Sequence, residues 1–134
     1  MSGYHDSHDE DADPRFPTGV WRGVWFQDDT AGRMGLWLKC TDGYIVGDGM
    51  DPVGPFEMNG TYDADTGQVA LVKHYHDAHS LDYRGTAQPD GHLRGRWSKS
   101  SGNAAGPWDI WPVLDDDDDY ELISLAIDPT PFEA

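Results

Sequence analysis

From Gly19 to Pro112 turn-forming residues interrupt the chain every 11 to 15 positions, leaving each interval room for one strand and little else. Strands are expected to start near Gly19, Arg33, Tyr44, Pro55, Gln68, Ser80, His92 and Pro107. The turn signals between them include Asp28-Asp29-Thr30-Ala31-Gly32, Thr41-Asp42-Gly43, Asp63-Ala64-Asp65-Thr66-Gly67, Gln88-Pro89-Asp90-Gly91 and Ser100-Ser101-Gly102-Asn103. Short strands at even spacing, with no helical periodicity between them, predict an all-β, eight-stranded antiparallel up-and-down barrel.

Side-chain alternation gives the wall a direction. An aromatic residue recurs two positions from a glycine in Gly19-Val20-Trp21-Arg22-Gly23-Val24-Trp25, Gly60-Thr61-Tyr62, Tyr83-Arg84-Gly85 and Gly95-Arg96-Trp97. Residues two apart on a strand share a face. Rings laid over glycines of neighbouring strands fill the inner face of a strongly curved sheet. That parity turns Trp21, Trp25, Leu36, Leu38, Phe56, Met58, Tyr62, Val69, Leu71, Lys73, Tyr75, Leu81, Tyr83, Leu93, Trp97, Trp108 and Ile110 inward. Arg22, Trp37, Lys39, Val72, His74, Arg84, Arg94, Arg96 and Asp109 then face out. Outward Val24, Phe26, Trp37 and Val72 point to a homo-oligomer interface, a lone exposed aromatic being the alternative. Parity is ambiguous in the third strand, where Gly47-Asp48-Gly49 is compatible with a bulge.

Charge separates the barrel from its ends. The net charge is -16, of which residues 18–113 carry only -4. Residues 1–17, rich in Asp, Ser and His, are expected to form a disordered acidic tail. Residues 114–134 carry -8, with the run Asp115 to Asp119 ahead of Tyr120, Leu122, Ile123, Leu125, Ile127 and Phe132. This acidic tail with its apolar segment is expected to pack on the barrel or to dock on a partner. No basic patch invites nucleic acid. No apolar run approaches the ~20 residues that cross a bilayer as a helix, so a membrane partner is not expected. Met1-Ser2-Gly3-Tyr4-His5-Asp6 lacks the pattern of a secretory leader, and the single Cys40 excludes an intrachain disulfide. A cytoplasmic location is the expectation.

The segment Gly19-Val20-Trp21 on the first strand of the meander resembles the Gly-X-Trp signature of calycin-type barrels, the lipocalin and avidin group. The resemblance implies a barrel closed at one end by Trp21, with a small, mostly apolar ligand in its mouth. The chain departs from lipocalins in lacking their later Thr-Asp-Tyr element, disulfide and helix. It departs from avidins in lacking their serine- and asparagine-rich biotin contacts, so no binding residues carry over.

Three groups of residues could carry chemistry. Lys73 and Tyr75 share the inner face of the fifth strand, Tyr83 stands on the sixth, and Asp51 reaches toward the same mouth from the loop between the third and fourth strands. A lysine inside a barrel is costly unless paired. A desolvated one can act as base or nucleophile beside phenolic acids. The alternative is a structural pair, Lys73 with Asp51 or another acid, bracing the barrel opening. His74, His76 and His79 on one hairpin form a weak candidate metal site, with His5 and His8 weaker still. Gly47-Asp48-Gly49-Met50-Asp51-Pro52-Val53-Gly54-Pro55 departs from the twelve-residue calcium loop and reads as a glycine-rich connection that lets the third and fourth strands turn a corner, a mobile lid being the alternative.

Three function classes follow. The first is binding of a small, partly apolar or aromatic molecule inside the barrel by Trp21, Trp25, Asp51, Phe56, Tyr62, Lys73, Tyr75, Tyr83, Trp97 and Trp108. The second is a cofactor-free isomerase, cyclase or lyase using Lys73, Tyr75 and Tyr83 as acid and base. The third is a filled structural barrel that acts as an interaction module through its acidic C-terminal tail. No cofactor is expected in any of them.

Overall fold

The structure, a computed structural model, describes residues 13–76 and 79–113. The acidic run at 115–119, the apolar positions after it, and His5 and His8 lie outside these residues. Eight strands follow in order: β1 (Gly19–Gln27), β2 (Thr30–Thr41), β3 (Tyr44–Asp51), β4 (Gly54–Tyr62), β5 (Gln68–Tyr75), β6 (Ser80–Ala87), β7 (Leu93–Lys99) and β8 (Ala105–Pro112). Each strand pairs antiparallel with the next, and β8 closes on β1 through registers such as Trp25 with Trp108. The meander is a closed barrel without helices among the described residues.

Turn chemistry sets the corners. Asp42 and Gly43 both have positive φ, 54° and 86°, the sign that a two-residue I′ hairpin loop requires. Asp28 takes φ 53°, and only Asp28 and Asp29 separate β1 from β2. So β2 begins at Thr30 rather than near Arg33, and the inward side chain of Met34 joins the core. The connection or lid expected at 47–55 is a two-residue turn, and the rest of that segment is strand. β3 runs on through Asp51 and β4 starts at Gly54, leaving only Pro52 and Val53 between them. Pairing of β3 with both neighbours is continuous, so there is no bulge and Ile45 points into the core.

Every position assigned inward is buried, except Trp25, which is half-buried at one end. The rings do lie over glycines of adjacent strands. Trp25 covers its cross-strand partner Gly32, Phe56 covers Gly49, and Trp97 lies against Gly106. Trp108 reaches across Gly95 to Gly85. Outward Trp37 and Val72 are exposed, at 47% and 39%.

The two ends differ. At the base, where the chain enters and leaves, Asp13 to Phe16 form a turn rather than part of a loose tail. Arg15 ties that turn to Asp13 and to the Ala64 carbonyl. Phe16 is thereby buried and stacks on Tyr62 with ring centroids 4.2 Å apart. Trp21 is buried beside it and donates its indole N–H to the Pro17 carbonyl at 2.9 Å. The opposite end, framed by the β1–β2, β3–β4, β5–β6 and β7–β8 turns, forms a mouth.

A Cβ at Gly32 would sit 2.2 Å from the Trp25 indole. Gly32→Val should expel that ring from the mouth and cost about 1–3 kcal/mol through overpacking. A red-shifted tryptophan emission and a lowered urea midpoint are the expected readouts.

Candidate functional site: a buried polar cluster beneath the barrel mouth

Four strands bring the polar residues of the mouth together. Asp51 ends β3, Lys73 and Tyr75 alternate inward on β5, Tyr83 lies on β6, and Trp25 hangs from β1. Strand alternation puts each of these side chains on the inner face, and closure of the barrel makes them neighbours.

Asp51 is the hub. Its Oδ2 accepts hydrogen bonds from Lys73 Nζ at 2.5 Å, Tyr75 Oη at 2.6 Å and Trp25 Nε1 at 3.0 Å. Its Oδ1 accepts the backbone N–H groups of Val53 at 2.9 Å and Gly54 at 3.3 Å. The carboxylate thus both pairs the lysine and ties the β3–β4 turn. Lys73 is fully buried, and its remaining N–H groups reach Tyr83 Oη at 3.3 Å and Met34 Sδ at 3.5 Å. All three ammonium protons have acceptors.

Aromatic faces surround the same ammonium. Lys73 Nζ lies 4.3 Å from the Phe56 ring centroid, 5.0 Å from Tyr75, 5.3 Å from Tyr83 and 5.9 Å from Trp25. Cation–π attraction in a desolvated setting offsets part of the lost hydration. Burial still draws the Lys73 pKa down to about 8, against the opposing pull of Asp51. The amine is therefore mostly charged at neutral pH. Burial, followed by the Asp51 charge, lifts both Tyr75 and Tyr83 well above the usual phenol range. Neither phenol ionises at neutral pH, and both remain hydrogen-bond donors.

Above this cluster the mouth holds a pocket of about 130 Å³. Its wall is built from Trp25, Tyr75, Leu81, Tyr83, Trp97 and Ala104, with Gln27, Val53, His79 and Lys99 also lining it. A cavity of about this size accommodates a benzene-sized molecule. A larger groove of about 520 Å³, between Tyr62, Gln68 and Arg84 at the base, contains neither Asp51 nor Lys73.

Of the ten residues proposed from sequence to face a ligand, Trp25, Tyr75, Tyr83 and Trp97 line this pocket. Asp51, Phe56 and Lys73 belong to the cluster beneath it. Trp108 is buried against Tyr83, with ring centroids 5.3 Å apart. Trp21 and Tyr62 do not belong to the site, because they pack with the Pro17 carbonyl and with Phe16 at the base. Asp51 is not a loop residue but the buried end of β3. The three histidines of the β5–β6 hairpin do not converge. His74 hydrogen-bonds Ser80 on the outer surface at 2.7 Å, His76 is exposed, and His79 tilts against the Tyr75 ring at 5.1 Å. Among the described residues no group of three His, Cys, Asp or Glu side chains is placed to hold a metal ion. Cys40 is shielded, and burial pushes its thiol up to about 12.

Fold and site together define a small closed β-barrel with an aromatic mouth over an internal ion pair. No protein-family model matches the chain, and no curated protein or solved structure gives a significant match.

Removing one partner of a buried pair strands the other charge. Lys73→Met should cost about 3–5 kcal/mol of unfolding free energy, and adding Asp51→Asn should recover part of it. Urea titrations of both variants check this. The pH profile has a fixed sign. Lys73 loses its proton near pH 8 when folded and near 10.5 when unfolded. Between those values the unfolded chain holds the extra proton, so stability rises with pH. Tyr75 and Tyr83 keep their protons above the ordinary value of 10.0, so stability falls once the unfolded phenols ionise. The urea midpoint should climb above pH 8 and turn down past about 10. Without Lys73 the climb should vanish.

Proposed function

We propose that the protein binds a small, largely apolar molecule in the mouth of its barrel. The observation that carries this reading is the 130 Å³ pocket walled by Trp25, Tyr75, Tyr83, Trp97 and Leu81. Such a concave aromatic surface with a few fixed polar groups is the usual composition of a ligand site. Its size suits a single ring or a short branched chain, or one such end of a larger molecule. The filled base, with Phe16 stacked on Tyr62, restricts access to the mouth. The calycin-like shape is in keeping with a ligand held at an open end.

A catalytic role for Lys73 has less support. The amine is fully buried, its protons are engaged by Asp51, Tyr83 and Met34, and both phenols stay neutral. The cluster is better suited to hold the wall rigid than to exchange protons with a substrate.

Tryptophan fluorescence tests the reading, because Trp25 and Trp97 stand in the wall. Small rings such as benzene or methylenecyclohexane should change the emission with a dissociation constant of roughly 0.1–1 mM, given ordinary ligand efficiency. Leu81→Trp should fill the pocket and abolish the response while leaving the circular dichroism spectrum intact. Unaltered titration of that variant would place any binding elsewhere.

A further inference from the structure

The hydrogen-bond ledger of the interior is unbalanced in one direction. Asp51 uses both oxygens, and Lys73 uses all its protons. Two buried donors are left over. Tyr83 Oη accepts from Lys73, yet its own proton has no acceptor among the described residues. Tyr83 is 1% exposed and lines the pocket. Behind it, Trp108 Nε1 is buried without a hydrogen-bond partner among the described residues. The two rings are in contact, with centroids 5.3 Å apart. A buried polar group without a partner costs about 1–3 kcal/mol, so native structures rarely leave one.

Lys73 and Asp51 neutralise each other at 2.5 Å, so the cluster beneath the pocket adds no net charge, and Lys99 is the cation of the lining. Both oxygens of the Asp51 carboxylate already accept hydrogen bonds from the protein.

Resting on the mouth-binding reading above, we propose that the ligand carries an acceptor oxygen, such as that of a ketone, ester or amide. Its carbonyl oxygen receives the Tyr83 O–H at the inner end of the pocket, while its apolar body packs between Trp25, Leu81 and Trp97. Acceptor chemistry is selected because a ligand without it leaves a buried donor unpaired, a penalty that discriminates more sharply than apolar fit.

Cyclohexanone and methylenecyclohexane, alike in shape but differing in C=O against C=CH2, separate the two readings. Both are titrated by calorimetry into the wild-type protein and into Tyr83→Phe. Tyr83→Phe should weaken cyclohexanone roughly three- to tenfold and leave methylenecyclohexane within about twofold. The infrared carbonyl stretch of bound cyclohexanone should move to lower frequency in the wild type, a readout that needs no variant. If methylenecyclohexane binds and the bound ketone shows neither the shift nor a dependence on Tyr83, acceptor recognition is overturned and mouth binding stands. If neither molecule binds the wild type, both fall.

Discussion

A buried ion pair organises this barrel. Lys73 and Asp51 meet inside a shell of rings, where a lone charge would be untenable. The pair draws in Tyr75 and Trp25 as further donors to the carboxylate and fixes the β3–β4 turn through Val53 and Gly54. Elements from β1, β3, β4, β5 and β6 are thus referred to one point. Replacement by apolar residues of similar volume is commonly no less stable than such a pair. Any arrangement that parts β5 from the end of β3 leaves one of the two charges buried alone, at a cost of about 3–5 kcal/mol.

Fixing the wall has a consequence for the mouth. Trp25 is held by Asp51 at its indole nitrogen and rests on Gly32. Tyr75 is held at its hydroxyl. A pocket whose rings are anchored from below loses little side-chain freedom when a ligand arrives, which lowers the entropic cost of binding. The same anchoring engages Lys73 and Tyr75 in hydrogen bonds to one carboxylate. Lys73, Tyr75 and Asp51, which looked most like catalytic equipment in the sequence, bond mainly to one another, and the pocket above them is walled chiefly by Trp25, Tyr75, Leu81, Tyr83 and Trp97.

The sequence revealed most of the fold because barrels are written in local signals. Asp42-Gly43 and Asp63 through Gly67 mark their corners by backbone preference, and alternation between them assigns faces without reference to the rest of the chain. Misjudged positions have specific causes. Gly32 read as part of a turn, whereas it is a strand glycine kept bare for the Trp25 ring, so β2 was placed too late and Met34 was missed. Gly47, Gly49 and Pro52 imitated a flexible loop. Gly49 instead makes room for Phe56, and only two residues turn. Phe16 sat among acidic and proline residues, and only its stack on Tyr62 shows it to be core.

By itself the sequence determined the strand order, the inner face and the presence of a lysine on it, because these depend on turn propensity and a two-residue period. Tertiary structure alone decided which inner residues share the mouth. Trp21 and Tyr62 carry the same inward signal as Trp25 and Tyr83, yet closure sends the first two to the packed base and the others to the pocket. Position along the barrel axis depends on register between strands distant in sequence, and so does the pairing of Asp51 with Lys73 across 22 residues. No local pattern encodes that distance; it is set when the eighth strand meets the first.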